Sequence, residues 1–279
     1  MSEAVHEVAL RLASSSPSPG PEARQLVAHV LGVDVSRLIA APPPTPEQRA
    51  EIDRLAARRA AGEPLQHLTG VAYFRLDELA VGPGVFIPRP ETEEMVGWAL
   101  KALAGRPVGS RRVVELCAGS GAITAALSTE LGGVELHAVE LSPEAHPYLE
   151  RNLAGRGVRV ERGDMAEAFR DLDGTVDLVI VNPPYIPTGH LAFLPSDVVD
   201  HEPGLALFSG ADGLDAIRVV AAVAARLLRP GGLLATEHDD SHQDKVIGLL
   251  AAAGYADIEG HPDLTGRPRF VTASLPTGH

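Results

Sequence analysis

Cysteine is almost missing: Cys117 is the one thiol in 279 residues. It cannot form an internal disulfide, which suits a reducing compartment, and it excludes a zinc site built from cysteines. Positive charge is scarce too. Lys and Arg number 24 against 37 Asp and Glu, a net charge of −13, and so acidic a chain repels a phosphate backbone unless a local basic patch overrides the field. Arg111-Arg112 is too short for such a patch, and Arg54, Arg58 and Arg59 read as a solvated helix face. Long apolar runs are absent: Val219 to Ala225 falls far short of the ~20 residues that span a bilayer. The first residues, Met1 to Glu7, lack the basic stretch and apolar core of a secretory signal. No internal repeat or low-complexity tract is visible. These absences predict a soluble cytoplasmic protein with no membrane partner and no stable nucleic-acid partner. What is present is ordinary for a globular chain, 45% hydrophobic and 22% charged, and the length predicts about two domains.

The texture changes near residue 70. Before it the apolar spacing predicts helices over Glu3 to Ala13, Glu22 to Leu31 and Glu47 to Ala61, with Gly62 as the last one's stop. Prolines at 17, 19, 21, 42, 43, 44 and 46 punctuate the gaps, because proline removes a donor and pushes its predecessor out of the α region. Val71 to Phe74 and Leu79 to Val81, followed by Gly82-Pro83-Gly84, predict a hairpin. From Arg112 strands alternate with helices: strands at 112–116, 134–139, 158–162, 176–181 and 233–237, helices at 122–131, 143–154, 215–228 and 243–253. Parallel strands need crossover connections, so this alternation predicts a parallel sheet covered on both faces. Tyr255 to Ile258 and Arg269 to Ala273 lie close enough in sequence for an antiparallel pair. The expected architecture is α/β: residues 1–70 a small all-helical domain, 71–90 a hairpin linker, and 91–279 a Rossmann-like sheet domain.

Two loops of that sheet carry chemistry. Glu115-Leu116-Cys117-Ala118-Gly119-Ser120-Gly121 follows the first strand, where a doubly wound sheet binds its cofactor. Glu140 ends the next strand, about twenty positions on, where a carboxylate accepts hydrogen bonds from ribose hydroxyls. Thr124 occupies the third glycine position of the dinucleotide fingerprint, so a pyrophosphate is disfavoured and a phosphate-free nucleoside, S-adenosylmethionine, fits better. The second loop, Asn182-Pro183-Pro184-Tyr185, follows the strand ending at Val181. Two prolines stiffen it and remove two donors, leaving acceptors: the Asn182 side-chain oxygen and the Pro183 carbonyl. A planar NH2 group can place one N–H on each, which orients its nitrogen towards an electrophile. Tyr185 would add an aromatic wall near a cationic sulfonium.

Asn182-Pro183-Pro184-Tyr185 is similar to the signature of methyltransferases that modify planar amide or amine nitrogens. Gly84-Val85-Phe86-Ile87-Pro88-Arg89-Pro90-Glu91-Thr92-Glu93 narrows the resemblance to the bacterial release-factor glutamine methyltransferases, as do His201-Glu202-Pro203-Gly204-Leu205-Ala206-Leu207 and Gly210-Ala211-Asp212-Gly213-Leu214-Asp215. The likeness runs from Pro64 to Phe270. It implies a helical domain, a hairpin and a seven-stranded methyltransferase sheet. S-adenosylmethionine would be held by Glu115, the Cys117 to Gly121 loop, Glu140, Asp164 and Met165, with Asn182 alongside. Phe86 would lie over the cofactor, core packing being the equal alternative. The glutamine substrate would sit at Asn182 to Tyr185 with Arg89, and the partners would be class 1 peptide chain release factors. Competing readings are an adenine-N6 DNA or RNA methyltransferase, whose exocyclic amine offers the same NH2, and a non-catalytic adaptor that keeps the cofactor loop as a relic.

The chain departs from the family pattern in places. Cys117 and Ala118 stand where a glycine and a threonine are usual, which predicts ordinary negative φ at 117. Glu140 replaces an aspartate, Pro268 an acid, and His238-Asp239-Asp240 a glycine-containing turn. His238, Asp239, Asp240 and His242 could be drawn as a metal cluster, but such residues crowd any polar loop and no second ligand set is suggested, so no metal is expected. His137, inside an apolar strand, reads as a packed core histidine.

Overall fold

The computed structural model describes residues 3–107, 111–193 and 201–277. The chain forms two compact units, one reaching Val71 and a larger one from Ala72 onward.

The first unit is helical. Helix α1 (Glu3–Leu12), α2 (Pro19–Leu31), α3 (Pro46–Ala60) and the short α4 (Leu65–Thr69) are joined by proline-marked turns and a 3-10 turn at Val35–Ala40. Val5, Val8 and Leu12 recur at helical spacing on α1 and pack with Ala23 and Val27 of α2 and Ile52 and Ala56 of α3. The start of α3 is fixed by a reciprocal cap. Thr45 Oγ1 accepts from the Gln48 backbone N–H at 3.3 Å, while Gln48 Oε1 accepts from the Thr45 N–H at 2.9 Å, and Pro46 fills the first helical position.

The second unit opens with the hairpin β1 (Val71–Phe74) and β2 (Asp77–Ala80), then α5 (Thr92–Ala104). A seven-stranded sheet follows: β3 (Arg112–Leu116), β4 (Glu135–Glu140), β5 (Arg159–Arg162), β6 (Val176–Val181), β7 (Leu228–Glu237), β8 (Ala256–Pro262) and β9 (Pro268–Ser274), in spatial order β5-β4-β3-β6-β7-β9-β8. The first five strands run parallel, and β9 runs antiparallel to both β7 and β8. Their connections include α6 (Ala122–Glu130), α7 (His146–Leu153), α8 (Gly204–Leu207), α9 (Asp215–Leu227) and α10 (Gln243–Ala252).

Period-two alternation sorts the strand residues onto two faces. Val114, Leu116, Val179 and Val181 pack against Ile217, Val220, Ala224 and Leu227 of α9 and Leu250 of α10. Val113, Leu136, Leu178 and Ile180 pack on the other face against Met95 and Leu103 of α5, Ile123 and Leu127 of α6 and Leu149 of α7. His137 is buried with its ring edge on Phe169, centroids 5.4 Å apart, as a core histidine should be. Helix α5, between β2 and β3, is not among the elements that the sequence predicts. β7 also begins earlier than expected, at Leu228, with a register shift against β6 that absorbs Gly231-Gly232. Among the described residues no helix is long and apolar enough to cross a membrane.

One feature of the topology places the site. From β3 the chain steps through β4 and β5 to one edge, and from β6 through β7 towards the other. β3 and β6 are neighbours, with Glu115 beside Ile180 and Leu116 beside Val181. The loops leaving these two strands therefore open a crevice at the reversal of strand order, the point where sheets of this kind bind ligands.

Candidate active site

The loop after β3 forms one wall of a cavity that Phe86, Arg89, Glu140, Asp164, Asn182 and Tyr185 also line. The Ala118 N–H bonds the Val139 carbonyl at 2.9 Å, and the Gly121 N–H bonds the Ala118 carbonyl at 2.7 Å, so the loop folds back over the end of β4. Cys117 contradicts the expected ordinary angle: its φ is +52°. Left-handed backbone at a non-glycine residue costs about 1–3 kcal/mol. The two backbone bonds of the loop and the 3.6 Å contact of Cys117 Sγ with Met165 Sδ hold it there. Burial pushes the Cys117 thiol up, so it stays neutral. Gly121, at φ +79°, cannot be replaced freely, since a Cβ would press into Leu149 and Leu153 of α7.

Glu140 closes this wall. Its Oε2 accepts from the Gly119 N–H and its Oε1 from the Ser142 N–H, both at 2.7 Å. The extra methylene relative to aspartate thus ties the turn to the next loop, while each oxygen keeps a further lone pair. Asp164 and Met165 follow β5 and line the cavity, with the Asp164 carboxylate bonding the Ala166 N–H at 2.9 Å. Phe86 is half-buried, lines the cavity and stands outside the core clusters, carrying the Arg89 guanidinium 4.9 Å from its ring centre.

Glu115 does something the fingerprint reading missed. It is buried, and its Oε2 accepts from both the N–H, at 2.9 Å, and the hydroxyl of Thr124. Thr124 is therefore more than an absent glycine: it braces the first turn of α6 against the end of β3. Burial pushes the Glu115 carboxyl up to about 8, the nearby Glu140 adding to the shift and the Thr124 bonds opposing it. Between the ordinary value of 4.5 and about 8 the folded chain holds a proton that the unfolded chain releases. Glu115 thus favours folding at the acid end of this window, and its contribution is lost as pH rises through it. Thermal unfolding of the wild type and Glu115→Gln between pH 5.5 and 8.5 should show the stability gap move in the variant's favour as pH rises. A constant gap would remove this assignment.

The second wall is the loop after β6. Asn182 Nδ2 donates to Thr92 Oγ1 at 3.3 Å, and Thr92 Oγ1 donates to Glu237 Oε2 at 2.7 Å. With its NH2 so engaged, Asn182 has its carbonyl oxygen left for a ligand. Behind the loop, the Ile186 N–H bonds the Leu207 carbonyl at 2.8 Å, and the Ser209 N–H bonds the Ile186 carbonyl at 2.9 Å. Leu207 and Ser209 are thus a backbone brace for the residue after Tyr185. Gly213, at φ +76°, allows the close approach, because a Cβ there would press on the Tyr185 carbonyl and the His242 ring. Glu202, nearly enclosed, bonds Arg89 at 2.7 Å and the Ile87 N–H at 3.4 Å, tying the loop before α5 to the same brace. Burial keeps the Tyr185 phenol neutral by raising its pKa.

The residues expected at the site thus line one crevice except Gly121, which packs against α7 at the start of α6, and Pro183, which is buried in the Asn182 loop itself. Sequence reading passed over Thr92, Glu237, Glu202 and Thr124 as site residues. The first and third lie inside quoted motif segments. Glu237 had a positional signal, an acid at the carboxyl end of a strand, like Glu140.

Comparison with known proteins decides the family. The PrmC N-terminal domain model matches residues 3–70 and a methyltransferase domain model matches 113–192. The release factor glutamine methyltransferase of Streptomyces coelicolor is 48% identical over 271 residues, covering 96% of each chain. The chain belongs to the release factor glutamine methyltransferase family. The enzyme of that name from Mycolicibacterium smegmatis is 45% identical over 265 residues, 94% of this chain and 92% of its own. A Streptomyces pristinaespiralis relative, 39% identical over 239 residues and covering 84% and 80% of the two chains, is named a 4-amino-L-phenylalanine/4-methylamino-L-phenylalanine methyltransferase. Among solved structures, the human Mettl16 catalytic domain in complex with an RNA hairpin aligns with TM-score 0.58 at 15% identity, over 81% of this chain and 82% of that one, a likeness of fold. Membership of a methyltransferase family removes the adaptor reading: the chain is an enzyme.

Proposed function

We propose that the protein transfers a methyl group from S-adenosylmethionine to the side-chain amide nitrogen, N5, of the glutamine in the Gly-Gly-Gln motif of class 1 peptide chain release factors. The observation that carries this reading is the pairing of two walls at the reversal of strand order: an acidic cradle on one side and, on the other, an asparagine whose NH2 is engaged and whose carbonyl oxygen is available.

The residues present fit the cofactor. Glu140 and Asp164 line the cradle beside the protonated Glu115, and the one lining arginine, Arg89, is paired with Glu202. These acceptors disfavour a diphosphate and take hydroxyl and amine protons. Glu140 would hold the ribose hydroxyls, the Cys117 to Gly121 backbone and Asp164-Met165 would flank the nucleoside, and Phe86 would cover it. When bound, the cofactor supplies an electrophilic methyl group on a cationic sulfonium. Asn182 Oδ1 and the Pro183 carbonyl each take one N–H of the substrate amide, fixing its nitrogen and polarising it. The Tyr185 ring, kept neutral by burial, shields the positive charge from water. The proton leaves after transfer, so positioning and charge stabilisation carry the rate and no strong general base is required.

The adenine-N6 reading shares this clamp, but the net charge of −13 works against a polyanionic substrate. Purified release factor, duplex DNA, ribosomal RNA and 4-amino-L-phenylalanine offered with labelled cofactor separate the candidates. The label should enter release factor, on the Gly-Gly-Gln glutamine by mass spectrometry. Preferential labelling of any of the other three would overturn the substrate assignment.

The cofactor role of Glu140 has its own test. Glu140→Ala should weaken S-adenosylmethionine binding by about 1–3 kcal/mol, the range for hydrogen bonds to a charged group. Calorimetry on a folded variant with unchanged affinity would refute the ribose contact.

A further inference from the structure

Behind Asn182 lies a buried chain of two further side chains. Thr92 opens α5 and Glu237 closes β7, and they are 4% and 1% exposed. Thr92 Oγ1 gives its hydrogen to Glu237 Oε2 at 2.7 Å and takes one from Asn182 Nδ2 at 3.3 Å. A hydroxyl has a single proton. Once Glu237 accepts it, the side of Thr92 turned to Asn182 offers only lone pairs, and the asparagine must present NH2 there and C=O on its far side.

Resting on the clamp described above, we propose that Thr92 and Glu237 are positioning residues that set the sense of the Asn182 amide, so that its oxygen and not its NH2 meets the substrate nitrogen. The opposite sense would set donor against donor. The polarity of the chain originates at Glu237, a carboxylate acting as final acceptor. Protonated, Glu237 becomes a donor to Thr92, the threonine proton turns towards Asn182, and the amide is drawn into the wrong sense.

Burial raises the Glu237 carboxyl to about 7, the Thr92 bond opposing the shift, so this reversal falls in an accessible range. The charged and titratable groups around it are Arg269 from β9, Arg89 and Glu91 from the turn before α5, and Tyr185 from the adjoining loop. The arginines favour the ionised form and Glu91 opposes it. Raising pH through this value ionises Glu237 and restores the productive sense, so kcat should rise along an acidic limb with a midpoint near 7.

The test uses the full chain with intact release factor. Thr92→Val keeps the shape and removes the hydroxyl, and it should lower kcat about tenfold, the weight of one neutral hydrogen bond between the two amide senses. KM and the calorimetric cofactor affinity should stay within about twofold, and the acidic limb should vanish. Thr92→Ser should restore both rate and limb. Glu237→Gln cannot ionise, so its profile should lack the limb whichever way its own amide settles. Wild-type kcat in Thr92→Val, no rescue by Thr92→Ser, or a limb that survives in Glu237→Gln would each overturn the proposal. A readout independent of turnover separates this from the substrate assignment. In 15N-labelled protein the Asn182 side-chain NH2, identified by its loss in Asn182→Asp, should show one proton shifted downfield in wild type and Thr92→Ser and not in Thr92→Val. An NH2 signal unaffected by Thr92→Val sinks the chain of bonds even if release factor is the substrate. Absent release-factor methylation with the NH2 pattern as expected sinks only the substrate.

Discussion

Asn182→Ala should lower kcat by about 10²–10³, the loss that follows removal of one aligned partner of the transition state. The argument starts at the strand. β6 is enclosed throughout and apolar but for Asp177 near its start, and it ends at Val181, so the next residue emerges at the crevice with little freedom. Pro183 and Pro184 then fix the backbone, and the Ile186 bonds to Leu207 and Ser209 anchor the loop's far end. A single side-chain oxygen held this firmly helps the reacting nitrogen at the moment of transfer more than in the resting complex, so the effect belongs in kcat and less in KM. Cofactor affinity, measured by calorimetry, should change little. A folded Asn182→Ala enzyme with near-normal kcat on release factor would refute the clamp.

Deleting residues 1–62 should raise KM for release factor by about 10²–10⁴, the range over which a second linked contact strengthens binding, and leave cofactor affinity nearly intact. The larger unit has its own core: neither of its two main clusters includes any residue before Phe74. The truncated chain should therefore fold. If the helical unit docks a folded release factor while the Gly-Gly-Gln tip enters beside Tyr185, removal turns a two-point contact into a one-point contact. A short Gly-Gly-Gln peptide should be a poor substrate of the full chain for the same reason. A truncated enzyme as efficient on intact release factor as the full chain would sink the docking role.

Much of this was legible in the residues. Alternating apolar strands and amphipathic helices spelled out the parallel sheet, and the closeness of the last two strand segments anticipated their antiparallel pairing. The two site loops were found because glycine and proline mark backbone that cannot be regular structure. Helix α5 was missed since its start, Pro90-Glu91-Thr92-Glu93, was taken up as a motif and its apolar stripe went unread. Thr92 and Glu237 stayed invisible for a different reason. They act through a bond between residues 145 positions apart, and no local pattern encodes such a meeting. The backbone at Cys117 was misjudged because the side-chain preference for negative φ was allowed to outrank the loop's need to bond Val139.

The order of strands also decides how the protein treats copies of itself. β5 and β8 are the outer strands, with backbone groups on one side left for any passing chain. β5 is only Arg159–Arg162 and carries three charges in four residues. β8 is broken by register shifts against β9, turns through a left-handed Asp257 and ends at Pro262, which has no N–H to give. Neither margin is a flat, apolar template, so the sheet resists edge-to-edge growth into aggregates at exactly the two places where its own pairing stops.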